Sequence, residues 1–361
     1  MRTRRTLINT CLLSALAVSG NAYSGSVNDK LNDLHKRLHK METTQKESGT
    51  NVQIHGVVEV EYGYSEDYAK VDSSDIVLAT VELALEASVN DNVDVQVSLL
   101  HEEDDTPLEV DVGVINLHDE RSPLSVSLGQ MYVPFGSFES NMVSDPLTLE
   151  IGETRESTIL LNLESNGATA GFYVFNPELG EGADEDKATA FGLTLGYAND
   201  TFSAGVDYIS SIADTDGVEG YLTGLALGNV VEQVAGLSAH ASFSMNAFSM
   251  IFEYVGAMDQ FDVTEISFNG VGAEPSAMNL EFAINVPMGG REGTIALAYQ
   301  ATDEAIDLGL PETRTMIAFS TEIYESTSLG IEYFRDSDYS IADGGLDETS
   351  DTFTVQLATE F

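Results

Sequence analysis

The feature that most constrains this chain is an alternation of apolar and polar side chains, which is clearest in its last eleven residues. Phe353, Val355, Leu357 and Phe361 share one parity, and mostly polar side chains hold the other. Because successive side chains of a strand point to opposite faces, this segment is expected to form a strand with one apolar face. At the end of a chain such a strand would expose unpaired backbone groups, a problem that a closed barrel removes. We therefore expect a barrel, with an edge strand of a soluble sandwich as the alternative.

The same period of two recurs sixteen times from Asn51 onward. Strands are predicted at 51–64, 75–88, 93–99, 108–118, 124–134, 277–286, 293–302, 312–322, 327–336 and 351–361, and three further pairs surround turns near residues 166, 200 and 246. In the second strand, Val77 is expected to share the apolar face with Val81. Single-chain bacterial barrels have an even number of strands. The predicted fold class is all-β, a 16-stranded antiparallel transmembrane β-barrel.

Two further patterns fit a barrel that crosses a membrane. Connections after even-numbered strands are short and those after odd-numbered strands are mostly long, as in barrels with periplasmic turns and extracellular loops. Aromatic residues of the apolar parity gather at the strand ends, where membrane barrels carry aromatic girdles. One group lies near the long loops (Tyr62, Tyr64, Tyr208, Tyr254, Tyr299, Tyr333) and another at the opposite ends (Tyr197, Phe202, Phe248, Phe361).

The N-terminal fifty residues divide into two segments that precede the barrel domain at 51–361. Basic residues, an apolar stretch and small residues predict a signal peptide over residues 1–22. Cys11, the single cysteine, falls within it, so no thiol chemistry is expected of the mature protein. Residues 23–50 contain apolar positions at heptad spacing (Val27, Leu31, Leu34, Leu38, Met41), which predicts a short helical, coiled-coil-like extension. A coiled coil between protomers and an unpartnered periplasmic tether are equally consistent with this pattern.

Charge and hydropathy restrict the partners. The formal net charge is −45, which argues against nucleic acid and anionic lipid surfaces and favours cationic solutes. No apolar run reaches the roughly 18 to 20 residues of a membrane-spanning helix. If the chain crosses a membrane, it is expected to do so with strands.

The polar parity of the strands is expected to line an acidic lumen, in which Arg314 is a basic exception. Rings of carboxylates favour cations in pores, although ordinary wetted lumen residues would look the same one by one. The predicted pore-lining carboxylates are Glu59, Glu61, Glu82, Glu86, Asp94, Glu109, Asp111, Asp207, Glu253, Glu281, Glu322 and Glu332.

The connection at 135–157 is too apolar for a solvated loop, because Phe138, Leu147 and Ile151 interrupt its charges. We expect it to fold into the barrel as a constriction loop, with packing over the rim or a neighbouring protomer as the alternative. Its charged residues are Glu139, Asp145, Glu150, Glu153, Arg155 and Glu156. The apolar connection at 212–236 is expected to cap the barrel mouth.

The stretch from Gly129 to Phe138 (GQMYVPFGSF), continued by 144–148 (SDPLT) and 152–157 (GETRES), resembles the LbtU-type siderophore porins. The resemblance extends to their plan of signal peptide, helical extension and barrel. It implies an outer-membrane route for ferric siderophore without a plug domain. It supplies no individual substrate-binding residues.

An enzyme is not expected, because the sequence lacks a G-x-S-x-G motif and places no nucleophile beside a histidine base. No cofactor or metal is predicted, and the acidic groups at 101–105 and 214–217 are interpreted as solvated loop charge rather than calcium sites. The predicted function is passive uptake of ferric siderophore across the bacterial outer membrane, with a general cation-selective diffusion porin as the alternative. Expected partners are membrane lipid, the barrel-assembly machinery through Phe361, and other protomers if the barrel forms a homotrimer.

Overall fold

The computed structural model describes residues 51–103, 106–119, 121–180 and 189–361. The signal peptide and the helical extension predicted at 1–50 lie outside these residues. Within the described ranges, sixteen antiparallel strands form one closed barrel, and two short strands form a separate hairpin. The predicted fold class of the barrel is therefore confirmed.

The strands are β1 (Asn51–Glu66), β2 (Asp72–Asn90), β3 (Val93–His101), β4 (Glu109–His118), β5 (Leu124–Tyr132), β6 (Arg155–Ser165), β7 (Ala168–Phe175), β8 (Ala190–Ala198), β9 (Phe202–Ile209), β10 (Gly236–Met245), β11 (Phe248–Ala257), β12 (Ser267–Phe268), β13 (Val271–Gly272), β14 (Ser276–Met288), β15 (Arg291–Asp303), β16 (Thr313–Tyr324), β17 (Thr327–Ser337) and β18 (Thr349–Glu360). The α-helices are α1 (Leu147–Gly152) and α2 (Asp216–Gly224), and short 3-10 helices occupy Ile212–Asp214 and Ile341–Asp343. Strands β12 and β13 form the hairpin, which lies in a loop and was not predicted.

The first and last barrel strands close the sheet, with Tyr62 opposite Val355 and Val58 opposite Thr359. Beyond the end of β18, the N–H groups of Gly56 and Phe361 each donate to the other's carbonyl, at 2.9 and 3.0 Å. The terminal strand therefore has a partner on both sides, because it also pairs with β17. This pairing removes the exposed edge that an open sheet would leave.

The outward face of the barrel is apolar along most strands. Side chains of the apolar parity such as Tyr62, Leu195 and Phe248 are exposed on the isolated chain, at 42%, 64% and 61%. Tyr299 and Tyr333 are exposed at one end and Tyr197, Phe202 and Phe361 at the other. The two aromatic groups thus keep the positions that parity predicts.

One register prediction is wrong. Between Glu59 and Glu61 the pairing of β1 with β2 shifts, so Val77 lies opposite Glu61 and Ile76 lies opposite Tyr62. Cross-strand partners share a face, and a bulge reverses the facing of all residues beyond it. Val77 therefore shares the inward face with Glu61, and Ile76, which is 68% exposed, takes the outward position.

The connections sort to two ends, which we call the loop end and the turn end. The turn end carries short turns such as Asn166–Gly167, where both residues have positive φ (51° and 82°) as a two-residue hairpin of this type requires. The loop end carries the long connections 133–154, 210–235 and 258–275. Strand β1 begins at the turn end, and strand β18 ends there. No helix in the described ranges is long and apolar enough to span a membrane.

The main apolar core lies at the loop end rather than throughout the molecule. It joins Phe135, Leu147 and Ile151 of the β5–β6 connection to residues of three neighbouring loops. Those residues include Leu179, Ile212, Val218, Leu222, Val230, Val234, Phe261 and Ile266. Two residues of the predicted mouth cap, Leu225 and Val231, are instead 47% and 62% exposed. The loops therefore pack on one another at this end of the barrel.

Candidate functional site

The β5–β6 connection, residues 133–154, lies against the inner wall of the barrel. Its backbone N–H groups donate to side chains that project inward from five strands. The bonds are Gly136 to Asp207 on β9 (3.1 Å), Ser137 to Glu253 on β11 (2.6 Å), Asn141 to Glu281 on β14 (2.9 Å), Val143 to Glu332 on β17 (2.7 Å) and Leu147 to Gln300 on β15 (3.0 Å). We call these five wall residues the loop anchors.

The loop anchors include four of the twelve carboxylates predicted to line a pore. Asp207, Glu253, Glu281 and Glu332 face inward as parity requires, yet each is at most 2% exposed. Buried carboxylates need hydrogen-bond donors, and the loop supplies them. Their environment is therefore a loop–wall contact and not open solvent, which the sequence pattern alone did not indicate.

Helix α1 fixes the end of the loop. The hydroxyl of Thr148 donates to Glu253 at 2.7 Å, and the N–H of Asp216 at the start of α2 donates to the carbonyl of Glu153 at 2.8 Å. Gly217 approaches so closely that an added Cβ would lie 2.0 Å from the carbonyl oxygen of Glu150. Helix α2 therefore holds α1 in place by a backbone contact that only glycine permits.

Seven of the predicted carboxylates lie on the adjacent strands β1 to β4, across the barrel from the loop anchors. They are Glu59, Glu61, Glu82, Glu86, Asp94, Glu109 and Asp111, and we call them the acidic wall. All except Asp111 are partly exposed. Polar neighbours contact several of them: Gln356 donates to Glu61 at 2.8 Å, and His118 Nε2 lies 2.9 Å from Asp94. Glu322, the twelfth, is exposed at the turn end, where it accepts from the N–H of Ser326 at 3.0 Å.

Two cavities meet at the end of the loop. The outer cavity, about 460 Å³, lies at the loop end and is lined by Glu109, Arg155, Asp216 and Glu219 among others. The inner cavity, about 880 Å³, extends toward the turn end past His240 and Ser244. Tyr132 and Glu153 line both cavities. These two side chains therefore lie at the junction between the loop end and the deeper barrel interior.

Arg155 and Glu156, predicted as loop residues, are the first two residues of β6. Arg155 Nη1 lies 2.7 Å from Glu109 Oε1 and 3.2 Å from Asp111 Oδ1, so it joins the acidic wall. Tyr132 donates to the same Asp111 at 2.8 Å. The strand begins earlier than predicted because Arg155 and Glu156 pair with Tyr132 and Met131 of β5.

The other predicted loop charges take different positions. Glu139 is exposed beside the inner cavity, and Asp145 is partly buried within the loop. Glu150 lines the outer cavity. Glu153 is 4% exposed, and its Oε2 atom has no hydrogen-bond partner.

Burial and neighbouring charge alter the acidity of the loop carboxyls. Burial, with Asp216 and Asp145 nearby, raises the pKa of Glu153 well above its usual value. Partial burial, with Glu178 and Asp216 nearby, raises the pKa of Glu219 to about 8. At neutral pH the Glu219 carboxyl therefore favours the protonated form, and a cation placed beside either carboxyl would favour its ionised form.

Several site residues were not predicted from the sequence. Gln300 anchors the loop, and Glu178, Asp216 and Glu219 reach the outer cavity from two other loops. Arg314 faces inward as predicted, opposite Gln300, where it is 7% exposed and forms two bonds to Asp336, at 2.7 and 2.9 Å. Alternation identifies inward strand positions, whereas loop residues and pairings across the barrel depend on tertiary packing.

Within the described ranges, the histidines and acidic loop groups form no recognisable metal centre. His240 Nδ1 lies 3.5 Å from Asp207, which is itself a loop anchor. In the described part of the chain, no group of three or more His, Cys, Asp or Glu side chains is arranged to hold a metal ion. Asp214 is 1% exposed and accepts from the N–H of Leu179 at 3.0 Å, so this residue is not a solvated loop charge, whereas Asp216 of the same group is exposed. Residues 104 and 105 of the other acidic group lie outside the described residues.

Solved structures with the same architecture span nearly the whole barrel. The outer membrane channel DcaP of Acinetobacter baumannii matches with a TM-score of 0.63 at 14% identity, covering 87% of this chain and 98% of that one. An anion-selective porin from Comamonas acidovorans matches with a TM-score of 0.60 at 14% identity, covering 86% and 100%. The fold is that of outer-membrane porins. Salmonella typhi OmpF, solved in complex with daunomycin, shares this porin fold with a TM-score of 0.59 at 13% identity, covering 87% and 98%.

The relatives found by sequence are named UPF0422 proteins. A UPF0422 protein of Legionella pneumophila strain Lens is 28% identical over 327 residues, which are 80% of this chain and 62% of the relative. A UPF0422 protein of Coxiella burnetii is 28% identical over 229 residues, covering 61% of this chain and 49% of the relative. The porin-like chain thus spans about three-fifths of the Legionella relative. No protein-family model matches the chain.

Proposed function

We propose that this protein is a passive outer-membrane channel that favours cationic solutes. The observation that carries the proposal is the acidic wall of β1 to β4, which faces the interior of a closed porin-fold barrel across from an infolded loop. The loop anchors occupy the other side. Solutes would pass between the acidic wall and the loop, where carboxylates line one side of the path.

The outward apolar face and its two aromatic groups support a location in the bacterial outer membrane, with lipid around the barrel. A soluble protein would gain nothing from exposing so many large apolar side chains. Phe361, which follows the closing strand β18, would be a contact for the barrel-assembly machinery. The proposal also includes the assembly of three copies of the barrel into a homotrimer.

Cation preference follows from the balance of charge along the path. Of the acidic wall, Glu109 and Asp111 have an arginine partner and Asp94 has a histidine, while Glu59, Glu61 and Glu82 have no basic partner among the described residues. Uncompensated carboxylates facing a narrow aqueous path raise the local concentration of cations and exclude anions.

Uptake of a ferric siderophore is the narrower form of the proposal. Its support is the resemblance of residues 129–138, 144–148 and 152–157 to the LbtU-type siderophore porins. This stretch is the end of β5, part of the infolded loop and the start of β6, so the resemblance falls on residues that border the proposed path. A neutral or cationic ferric complex would be compatible with the acidic wall, and an anionic one would be disfavoured.

Planar lipid bilayers test both forms. We expect purified protein under a potassium chloride gradient to give a reversal potential whose sign shows that potassium permeates more readily than chloride. Glu59→Gln/Glu61→Gln/Glu82→Gln should move that potential toward zero, and Glu325→Gln, on an exposed turn, serves as the matched control. Block by micromolar ferric siderophore would support the narrower form, whereas conductance that no siderophore perturbs would leave the general cation porin. A stable absence of conductance would overturn the channel proposal.

A further inference from the structure

The outer cavity brings together more carboxyl groups than any one described strand carries. Of the described residues that line it, seven carry carboxyl groups and one, Arg155, is basic. The carboxyl groups come from the β3–β4, β5–β6, β7–β8 and β9–β10 connections and from the start of β4. Four separate loops thus contribute acidic side chains to the lining of one cavity.

Glu153 gives an independent indication of a ligand. Its side chain is 4% exposed, its Oε2 atom has no hydrogen-bond partner, and it lines the cavity. Buried polar atoms almost always have partners, and an orphaned carboxylate oxygen is costly. The charges with the largest effect on Glu153 are other carboxyls, among them Asp216, Asp145 and Glu150. A donor with positive charge is the group that this oxygen lacks.

The size and spread of the cavity indicate what kind of cation would fit. No three acidic side chains in the described ranges converge closely enough for a metal ion. The space of about 460 Å³ is also much larger than a single ion requires. A cation with several N–H donors distributed along its length would reach carboxylates that a compact ion cannot bridge.

Arg155 shows how a nitrogen cation pairs in this cavity. One guanidinium nitrogen contacts both Glu109 and Asp111. The backbone N–H of Arg155 separately donates to Asp216 at 3.2 Å. Charge-assisted N–H to carboxylate bonds of this kind are about twice as strong as neutral ones. Glu153 and Glu219 lie in the same cavity without such a basic partner among the interactions described for them.

We infer that the outer cavity is a binding site for linear aliphatic polyamines, with Glu153 as its central carboxylate and Glu219 as a second. The inference rests on the proposed channel function and names a solute class for it. Because Glu153 lines both cavities, a polyamine bound here would lie at the entrance to the deeper interior.

Isothermal titration calorimetry of the detergent-solubilised full chain with spermidine tests the site. We expect binding to the wild type and a loss of affinity of about tenfold in Glu153→Gln, which keeps the shape and removes the charge. Glu219→Gln is a second variant with the same expected direction. Glu274→Gln removes a carboxylate from an exposed loop residue that does not line the cavity, and it should bind within about twofold of wild type. Heat-dependent electrophoretic mobility checks that each variant is folded.

Two further measurements separate the possible results. Equal affinity for magnesium chloride, with the same loss in Glu153→Gln, would overturn the assignment to amines. Unchanged spermidine affinity in both folded variants would overturn the site. In bilayers, conductance without spermidine binding would overturn this inference and leave the channel proposal intact. Spermidine binding without conductance would support the site and overturn the channel.

Discussion

Glu253 and Glu82 both project inward from barrel strands, yet they have different surroundings. Glu253 is 1% exposed and accepts from the N–H groups of Ser137 and Phe138 and from the hydroxyl of Thr148. Glu82 is partly exposed on the acidic wall. At the residue scale, the position of the loop determines the surroundings of each inward carboxylate. Those that the loop covers accept hydrogen bonds from its backbone, and the others contact solvent.

Replacement of an anchor should loosen the loop without changing charge along the solvent-exposed side. Glu253→Gln replaces one acceptor oxygen by an amide nitrogen that cannot accept these bonds, at a cost of about 2 kcal/mol. We expect more current fluctuation in single-channel recordings and little movement of the reversal potential. Glu325→Gln is the control, and a quiet channel in Glu253→Gln would contradict the anchoring role.

The loop-end packing should weaken as pH rises. The pKa of Glu219 is raised from 4.5 to about 8 by partial burial and by Glu178, Asp216 and Asp214 around it. A raised carboxyl pKa means that its stabilising contribution is present below about pH 4.5 and is lost as pH increases through about 8. Cleavage of the loops by proteinase K, corrected for enzyme activity, should therefore be faster at pH 9 than at pH 6. Glu219→Gln should reduce this difference, and an identical pH dependence in the variant would count against the assignment.

At the scale of elements, the infolded loop depends on α2 as well as on the wall. Helix α1 has only six residues, too few to be stable alone, and its buried face contacts α2 and the strands β11 and β14. The Leu147, Ile151, Val218 and Leu222 side chains share one apolar cluster. The two loops therefore fold as one unit against the barrel.

Separation of the two helices should release this unit. In Gly217→Val the new side chain would overlap the Glu150 carbonyl, because even a Cβ lies 2.0 Å from that oxygen. We expect a loss of about 2 to 3 kcal/mol in loop-unit stability, seen as higher single-channel conductance and faster loop proteolysis. Gly224→Ala is the matched control on the same helix, since no atom lies within 4 Å of its added Cβ. Equal behaviour of the two variants would show that the helix contact does not hold the loop.

At the scale of the whole molecule, closure joins the two ends of the described chain. The ring of Phe361 covers the outward face of Gly56, where an added Cβ would lie 2.3 Å from the ring. Backbone bonds join the same two residues. An aromatic ring over a strand glycine compensates for the missing side chain, and here it lies where the first and last strands meet.

Closure should therefore be sensitive to Gly56. Gly56→Val would displace the Phe361 ring and weaken the β1–β18 contact, with an expected cost of about 1 to 3 kcal/mol. The folded, heat-modifiable band on electrophoresis should be lost at a lower temperature than in wild type. Gly63→Ala lies on the same strand with no atom within 4 Å of its added Cβ, and it should melt like the wild type. Identical melting of all three proteins would refute this role.

The sequence by itself determined the barrel, the strand positions and the facing of most side chains. A period of two along each strand is a local property, and it survives in the structure wherever the register is regular, as for Tyr62 and Glu59. The apolar side chains within residues 135–157 also indicated that this connection is not a solvated loop.

Only the tertiary structure decided the rest. The bulge that turns Val77 inward depends on how β1 and β2 pair, and alternation along one strand cannot reveal it. The division of inward carboxylates into loop anchors and acidic wall depends on where a loop lies across the barrel. The orphaned oxygen of Glu153 arises from four loops that converge from distant parts of the chain. The face to which a strand side chain points depends on neighbours one and two residues away. The contacts that it makes depend on closure of the barrel, which brings together residues that are far apart in the sequence.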